Sequence, residues 1–454
     1  MKSICTVSLA LFSLLAFFVP GSLAEDWPMW RYDAERSAVS PGQLPTQLHL
    51  QWSRQYAAPK PAWPEDPRLM FDASYEPIVV GTTMYLSSAQ TDSVTAIDTQ
   101  TGEEKWQFFA EAPIRFAPVA SGDRLYFGAD DGCMYCVRAD EGSLIWKFDT
   151  ASSVRNVLGN DRLVSVWPVR GGPVLSPEGK LYFTAGVWPF EGTFLYTLDA
   201  ESKEQLDKQD GTPPEFSVLT LTDMTPQGYL VLSGKRLYMP CGRAAVGIHE
   251  TGTKFYKALG YNARGLTDYH ATASGPYLFH GHRVIDMDEN RTLPINAPRP
   301  VSDGSEIYLA QSGNVVAADI LKQPEPNPEE IKKGILPKFK ATWHVKGQQI
   351  IDALGPVSAT RRTEGPLTVD IRSGDRVYGR YGNVVYAAEG PQDGKPAGVS
   401  WATVVDGDPT ALVAANDRLF VATHEGKILC YGAEKGAARV YPATEAPLDV
   451  SSHR

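Results

Sequence analysis

The segment SGDRLYFGADDGCMYCVRADEGSLIWKF, residues 121–148, has a second version near the end of the chain, ANDRLFVATHEGKILCYGAEKGAARVYP, residues 415–442. Both contain short runs in which apolar and polar residues alternate, and Gly, Asp or Asn separates the runs. Alternation with a period of two, rich in β-branched and aromatic residues, predicts β-strands, and the Gly-containing breaks predict tight turns. The segment therefore predicts a meander of antiparallel strands that the chain uses more than once.

The same pattern recurs in eight units. The first begins at Pro77, and its turn glycine and outer tryptophan, Gly102 and Trp106, have the same spacing as Gly142 and Trp146 in the second. The later units begin at Gly172, Leu230, Thr272, Arg299, Asp370 and Leu412. One meander leaves both faces open to water, whereas eight arranged radially cover one another. The sequence predicts an all-β fold, an eight-bladed β-propeller of four-stranded antiparallel blades, with seven blades as the alternative.

Residues 1–24 have the features of a secretory signal peptide: Lys2, an apolar run at residues 9–19, and small residues before a cut after Ala24. We expect a periplasmic or secreted protein. The only cysteine near the cut is Cys5, so no lipid anchor is expected. No other run is long and apolar enough for a membrane span, so no transmembrane segment is expected in the mature chain.

The rest of the chain divides into three parts. Residues 25–76 are predicted to be an N-terminal segment that carries a ring-closing strand, LHLQWSRQ, in which Trp52 takes the outer-strand position of the last blade. The stretch ARVYP competes for that position. Residues 77–442 are predicted to be the propeller and 443–454 a C-terminal tail. Trp27 and Trp30, in the N-terminal segment, are expected to pack against the propeller.

Charge and motifs exclude several function classes. The formal net charge is −10, which repels phosphate backbones, so no nucleic-acid partner is expected. The chain contains no Gly-rich phosphate loop, G-x-S-x-G elbow or H-E-x-x-H motif. Cys133 and Cys136 form C-x-x-C without a following His, which excludes covalent haem attachment. Side chains three apart on a strand point to opposite faces, so this pair is predicted not to be disulfide-bonded.

Two repeats, AIDTQTGEEKW and CVRADEGSLIW, resemble the ALDA-x-TG-x-x-x-W signature of PQQ-like propeller repeats. The resemblance covers nearly the whole mature chain and is weakest at YTLDAESKEQL, which lacks the Gly and the Trp. It implies two classes of function. Quinoprotein dehydrogenases hold PQQ beside Ca²⁺, and their adjacent Cys-Cys pair is missing here. A non-catalytic class, which includes the propeller subunit of the outer-membrane barrel-assembly machinery, binds protein partners through rim loops.

We expect a binding or protein-interaction module whose partner is a protein or an anionic or carbohydrate ligand. A PQQ-dependent dehydrogenase is the alternative, and PQQ with Ca²⁺ is implied as a cofactor by the resemblance alone. The residues themselves identify neither a cofactor nor a metal site. A third hypothesis is a polysaccharide-binding or polysaccharide-cleaving propeller, in which Asp268, Tyr269 and His270 would supply acid-base groups.

Five polar residues are predicted to form a ligand site at the mouth of the central channel, where loops lead into the innermost strands. Arg115 and Arg170 each lie three residues before a proline at the start of such a strand. The repeat register places Gln227 and Asp268 at the same position, with His270 close by. Two guanidinium groups can hold a carboxylate or a sulfate through paired hydrogen bonds. The predicted ligand is therefore an anion, and no catalytic residue is assigned.

Overall fold

The computed structural model describes residues 25–151, 155–159, 162–201, 214–259, 268–281, 283–293, 299–322, 329, 339–355 and 364–443. Within these ranges, eight small antiparallel sheets form an eight-bladed β-propeller, and a two-stranded hairpin forms a ninth sheet. The prediction of eight blades is confirmed and the alternative of seven is wrong. No helix in the described ranges is long and apolar enough to cross a membrane. The predicted signal peptide lies outside the described residues, as do residues 444–454 of the predicted tail.

The strands of the first four blades follow one another along the chain. Blade 1 consists of β3 (Ile78–Val80), β4 (Thr83–Ser88), β5 (Ser93–Asp98) and β6 (Glu104–Phe109). Blade 2 consists of β7 (Val119–Ser121), β8 (Arg124–Gly128), β9 (Cys133–Arg138) and β10 (Leu144–Asp149). The hairpin consists of β11 (Asn156–Gly159) and β12 (Arg162–Ser165). Blade 3 consists of β13 (Val169–Leu175), β14 (Lys180–Ala185), β15 (Thr193–Asp199), β16 (Phe216–Leu221) and β17 (Gly228–Tyr229). Blade 4 consists of β18 (Val231–Ser233), β19 (Arg236–Cys241), β20 (Ala244–Glu250) and β21 (Tyr256–Ala258).

The last four blades include two strands from the N-terminal segment. Blade 5 consists of β22 (Ala271–Ser274), β23 (Tyr277–His280), β24 (Arg283–Asp286) and β25 (Arg291–Leu293). Blade 6 consists of β26 (Val301–Ser302), β27 (Glu306–Gln311), β28 (Asn314–Asp319) and β29 (Trp343–Lys346). Blade 7 consists of β30 (Leu367–Ser373), β31 (Arg376–Tyr381), β32 (Val384–Glu389), β33 (Gly398–Val404) and β1 (Val39–Ser40). Blade 8 consists of β34 (Pro409–Ala415), β35 (Arg418–Thr423), β36 (Lys427–Gly432), β2 (His49–Gln55) and β37 (Arg439–Tyr441). The described helical pieces are α1 (Gly347–Asp352) and the 3₁₀ turns Pro67–Leu69, Pro189–Glu191 and Ile320–Lys322.

The repeated Gly and Trp join neighbouring blades. Gly142 has a φ of 73°, and a Cβ atom there would lie 2.5 Å from the Trp106 ring of the preceding blade. The Trp106 indole donates a hydrogen bond to the carbonyl of Ala139, at 3.1 Å, in the same turn. Glycine is needed because the turn has a positive φ and because the indole packs directly on its backbone. The two signature residues therefore form one contact between blades.

The ring is closed by the N-terminal strand, as the sequence predicts. Strand β2 pairs antiparallel with β36 as the fourth strand of blade 8, and β37 adds in parallel outside β2. The stretch ARVYP therefore becomes a fifth strand and does not replace β2. Trp52 is fully buried, and its indole donates to the carbonyl of Thr99 in blade 1 at 3.0 Å. The two ends of the propeller are thus joined by both backbone and side-chain contacts.

Residues 25–40, which we call the plug, fill the centre of the ring. The plug makes backbone hydrogen bonds to the innermost region of six blades: Trp27 with Val79, Pro28 with Ala120, Ala34 with Leu232, Glu35 with Ala273, Ser37 with Ser302, and Ala38 with Arg372. Residues Arg31, Tyr32, Arg36 and Ala38 have positive φ values. Such conformations persist when the surroundings hold them in place. The plug is therefore an integral part of the propeller.

Arg36 anchors the plug at its centre. Its side chain is fully buried, and the guanidinium donates to four carbonyl groups, those of Leu230 at 2.9 Å, Trp30 at 3.0 Å, Pro173 at 3.0 Å and Asp33 at 3.4 Å. Pro173 belongs to blade 3, so the plug forms described hydrogen bonds with seven of the eight blades. Burial lowers the pKa of Arg36 to about 10, which leaves it charged at neutral pH. Arginine suits this position because its five N–H donors lie in a fixed plane.

The four described cysteines are buried and free, and Cys133 and Cys136 both lie on β9, as the prediction of no disulfide between them requires. Burial raises the pKa of Cys136, Cys241 and Cys430 to about 12. Because the thiolate is the reactive form, we expect iodoacetamide at pH 8 to leave all four unmodified in the folded protein and to modify them in denaturant. Peptide mass mapping measures this directly. Rapid labelling of Cys133 or Cys136 in the native protein, or a bridge between them, would contradict the strand assignment.

Candidate functional site

The five predicted site residues lie on one face of the ring, the face from which the chain leads into the innermost strands. We call it the upper face. Arg115, Arg170, Gln227 and His270 are buried, and Asp268 is partly exposed. The structure brings Arg115 and Arg170 together, since both bind Asp130. Gln227 and Arg115 both contact the loop of residues 57–74, which covers this part of the face. Asp268 and His270 form a second group near the plug.

Arg115 and Arg170 are paired with carboxylates of the chain itself. The Nε atom of Arg115 lies 2.6 Å from Asp130 Oδ2, and its Nη1 atom lies 2.6 Å from Asp72 Oδ2. Arg170 Nη2 lies 3.0 Å from Asp130 Oδ2. Burial disfavours the charge on Arg115, but Asp130 and Asp72 outweigh burial and raise its pKa. The two guanidinium groups predicted to bind an anion are thus held by Asp72 and Asp130.

Residues 57–74, which we call the lid, cover this part of the upper face. Trp63 of the lid donates from its indole to Gln227 Oε1 at 3.0 Å. The Phe71 ring stacks on Phe116, with centroids 5.0 Å apart and planes 10° apart. Three of the five predicted site residues, Arg115, Arg170 and Gln227, therefore lie beneath the lid.

His270 belongs to the second group. Its Nδ1 atom lies 3.5 Å from Asp268 Oδ1, and its Nε2 atom lies 3.3 Å from Arg299 Nη1. An arginine donates and never accepts, so Nε2 accepts this hydrogen bond and the proton sits on Nδ1. Burial, Arg299 and Arg31 lower the pKa of His270 to about 4, and Asp268 opposes them. At neutral pH the imidazole is uncharged and therefore unsuited to donate a proton from Nε2.

A column of rings connects the two groups across the centre. Trp30 of the plug stacks on Tyr229, with centroids 4.0 Å apart, and on His270, with centroids 5.4 Å apart. Tyr229 meets Phe116 edge to face at 5.0 Å, and Phe116 in turn stacks on Phe71 of the lid. Each of these ring-bearing residues is at most 7% exposed. The centre of the upper face is therefore packed with side chains.

The residues at the centre do not fit PQQ with Ca²⁺. A cavity of about 40 Å³ lies between Trp30, Arg31, Glu76, Arg299 and Asp370. Such a cavity has room for about two or three water molecules, whereas sites for organic ligands usually measure 300–1,000 Å³. Within the described residues, no three His, Cys, Asp or Glu side chains are placed to hold a metal ion together. In this conformation, a planar quinone would have to displace the aromatic column.

The sequence did not reveal the partners that decide the site's chemistry. Asp130 follows β8 in a run, ADDG, that is typical of any turn. Asp72 and Trp63 lie in a Pro-rich stretch without periodicity. The repeat pattern covers only the blades, and therefore carries no information on which loop residues lie over the centre.

Acidification is expected to destabilise the protein through His270. Its folded pKa of about 4 lies below the ordinary value of 6.5. Between these values the unfolded chain binds the proton and the folded chain does not, so the stabilising effect is complete above pH 6.5 and is lost as pH falls towards 4. The loss amounts to about 3 kcal/mol. Urea unfolding of His270→Gln at pH 6.5 and 4.5 should show a smaller decrease than the parent, with exposed His424→Gln as the control. Equal decreases in all three proteins would contradict the burial of a neutral His270.

Comparisons with known proteins agree with the fold and the repeats. A family model described as "Outer membrane protein assembly factor BamB" matches residues 30–182 and 90–254. The quinohemoprotein alcohol dehydrogenase from Comamonas testosteroni is 13% identical, with 91% of this chain and 81% of that chain covered and a TM-score of 0.53. A quinohemoprotein alcohol dehydrogenase from Pseudomonas putida HK5 is also 13% identical, with 93% and 82% covered and a TM-score of 0.53. BamB from Moraxella catarrhalis is 12% identical, with 78% and 82% covered and a TM-score of 0.35.

The blades, the Gly and Trp contacts and the family-model match define a β-propeller built from PQQ-like repeats. The chain is therefore similar to β-propellers of the PQQ-like repeat type, and the family model matches residues 30–254. At 13% identity, the two dehydrogenases show a shared fold and nothing about activity. A search among curated protein sequences finds no match.

Proposed function

We propose that this protein is an exported, non-catalytic propeller that binds a partner protein through its upper face. The observation that carries the proposal is the filled centre, where the plug and the aromatic column occupy the space in which a propeller enzyme needs its cofactor and substrate. A propeller with a closed centre still presents a wide surface of loops for recognition. Export to the periplasm or beyond is part of the proposal and rests on the leader expected at residues 1–24.

The hairpin β11–β12 offers an apolar surface for this partner. Leu158 and Leu163 face each other across the hairpin and are 78% and 67% exposed. Phe190, which is 82% exposed, lies beside Glu191, whose carboxylate pairs with Arg155 at the base of the hairpin at 2.6 Å. Exposed apolar residues that gather on one face and are bordered by charges are typical of protein interaction sites.

The hairpin is held in position from both sides. Arg155, which precedes the first strand of the hairpin, pairs with Glu191 in the turn of blade 3. The Cζ atom of the Arg155 guanidinium lies 5.6 Å from the centroid of the Trp167 ring. Arg162 at the start of the second strand pairs with Asp92 of blade 1 and donates to the carbonyl of Gln90 at 3.1 Å. The hairpin thus bridges blades 1 and 3, and its leucines are presented on a fixed support. We propose that they contact an apolar patch of the partner protein.

A cofactor titration tests the non-catalytic part of the proposal. Purified protein is titrated with PQQ in the presence of Ca²⁺, and absorbance, calorimetry and dye-linked dehydrogenase activity are recorded. We expect no saturable binding and no quinone-dependent activity, because the cavity at the centre of the upper face measures only about 40 Å³. Binding with one equivalent of PQQ and alcohol-dependent dye reduction would overturn the proposal in favour of a dehydrogenase.

A crosslinking experiment tests the interaction surface. A photo-crosslinking amino acid is placed at position 158, and a control at position 321, where Leu321 is 72% exposed on a separate turn. A protein captured only from position 158 is then purified and its affinity measured. We expect Leu158→Asp with Leu163→Asp to weaken binding at least tenfold, and Leu321→Asp to leave it unchanged. Equal affinity for both variants would overturn the hairpin as the site.

A further inference from the structure

We propose that the lid is an autoinhibitory segment and that Asp72 occupies the place of a carboxylate ligand between Arg115 and Arg170. The inference rests on the proposed function as a binding protein and adds a second, small-ligand site to it. It assigns a ligand class, namely a carboxylate attached to a molecule with an apolar face. It also assigns to the lid the role of an internal competitor for that site.

The charge balance of the cluster supports this assignment. Arg115, Arg170 and Asp130 all belong to the ring, and together they carry one net positive charge. Asp72 is supplied by the lid and neutralises it, with its Oδ2 atom 2.6 Å from Arg115. A buried positive charge without a partner is costly, so the ring by itself forms an incomplete ion cluster. An anion is required to complete it, and the lid supplies that anion in this conformation.

Arg170 retains unused hydrogen-bonding capacity in the same cluster. The side chain is 3% exposed, and its Nη1 atom has no hydrogen-bond partner within the described residues. The Oδ1 atom of Asp72 is also buried without a hydrogen-bond partner in the described chain. Buried polar atoms in folded proteins are nearly always hydrogen-bonded. Asp72 therefore neutralises the charge of the cluster but leaves hydrogen-bonding atoms of the cluster without partners. The carboxylate of a separate ligand is not held by the lid backbone, so it can orient to bind both arginines.

The lid is attached in a way that allows it to leave. In the described chain, the backbone-to-backbone hydrogen bonds of residues 57–74 all close within the lid: Asp66 to Trp63, Leu69 to Asp66, and Ala73 to Met70. Its attachments to the ring are made by side chains, such as Trp63 with Gln227 and Asp66 with Arg243. The plug, by contrast, is held by backbone bonds to six blades. Opening the lid uncovers the buried side chains of Ala62, Leu69 and Phe71 but breaks no described backbone hydrogen bond to the ring, whereas release of the plug breaks such bonds to six blades. We therefore infer that the lid opens at lower free energy than the plug.

The site beneath the lid determines which ligand would replace it. Removal of Asp72 frees Arg115 Nη1, and removal of Trp63 frees the Gln227 amide. Removal of Phe71 exposes the face of Phe116 on which it stacks. A ligand that replaces the lid therefore needs a carboxylate for the arginines and a flat apolar face for Phe116. Aromatic acids meet both needs, and so do uronic acids, whose ring C–H groups form an apolar face.

Calorimetry on the full chain tests the inference. Phenylacetate and glucuronate serve as the two carboxylate probes, and phenylacetamide as the neutral control. We expect Asp72→Asn to bind at least one carboxylate probe ten or more times more tightly than the parent, because the internal competitor has lost its charge. Adding Arg115→Ala to Asp72→Asn should abolish the gain, and phenylacetamide should bind to none of the proteins. The stronger of the two probes identifies the aromatic or the sugar class.

Three outcomes would overturn the inference: no gain in Asp72→Asn, a gain that survives Arg115→Ala, or equal binding of the neutral amide. If Asp72→Asn does not fold, Trp63→Ala serves as the second variant, because it removes the hydrogen bond from the lid to Gln227 and leaves the charges unchanged. It should also bind a carboxylate probe more tightly than the parent, by a smaller factor. No gain in Trp63→Ala would then overturn the inference. Since neither probe is a quinone, PQQ-dependent oxidation of alcohols by the parent would remove the proposed non-catalytic function and leave this test readable.

Discussion

Replacement of Trp52 by alanine is expected to lower the free energy of unfolding by about 3–5 kcal/mol, the usual cost of deleting a fully buried aromatic side chain. Trp52 lies on β2, the strand that joins the N-terminal segment to blade 8, and its indole donates to Thr99 of blade 1. The substitution removes both the packing and the hydrogen bond at the ring junction. Urea and thermal unfolding, followed by far-ultraviolet circular dichroism, measure the effect.

A matched control is Phe190→Ala, since Phe190 is also aromatic but 82% exposed. We expect its free energy of unfolding to change by at most about 0.5 kcal/mol. If Trp52→Ala unfolds at the same urea concentration as Phe190→Ala, β2 does not close the ring. In that case β37 would have to be the strand that holds blade 8 together.

Arg36→Met is expected to lower the free energy of unfolding by about 3 kcal/mol or more. The substitution keeps most of the side-chain volume but leaves the carbonyl groups of Leu230, Trp30 and Pro173 without their donor. Each unsatisfied buried carbonyl costs roughly 1–3 kcal/mol, and a water molecule can replace some of the lost bonds. The same unfolding experiments measure the effect, with exposed Arg439→Met as the control.

Limited proteolysis adds a test that is specific to the plug. If Arg36 anchors residues 25–40, a protease should cut Arg36→Met within the plug before it cuts the blades. The parent should be cut in the plug only after global unfolding. Equal resistance of the plug in the two proteins, together with equal stability, would show that the buried guanidinium does not hold the plug.

The blades were predictable because their contacts are repeated. Gly102 and Gly142 occur at one register, and each packs beneath the Trp of the preceding blade, so a single contact rule explains both. Ring closure by β2 was predictable for the same reason, since its Trp matches the repeat. The addition of β37 outside β2 follows from no pattern in the sequence, because a fifth strand has no counterpart in the other units.

The candidate site was predictable only in part. The repeat register places Arg115 and Arg170 at one position, and in the structure both bind Asp130, but Asp72, the second partner of Arg115, lies outside the repeats and nothing periodic links it to them. Arg36 is a stronger example, since arginine is rarely fully buried and composition therefore argues against its position. Contacts between a loop residue and a distant ring residue depend on the folded geometry. They cannot be predicted from the sequence pattern around either residue.

The central claim is that the plug permanently fills the propeller while the lid is held only by side chains. Hydrogen-deuterium exchange, read by mass spectrometry on the full chain at neutral pH, tests it most directly. We expect peptides from the plug to exchange as slowly as those from the innermost strands β7, β18 and β22. The plug carbonyls accept hydrogen bonds from the amides of these strands, while the amide of Trp27 donates to Val79 and those of Arg36 and Ala38 donate within the plug. Peptides from residues 57–74 should exchange much faster. Rapid exchange of the plug, or equally slow exchange of plug and lid, would contradict the claim.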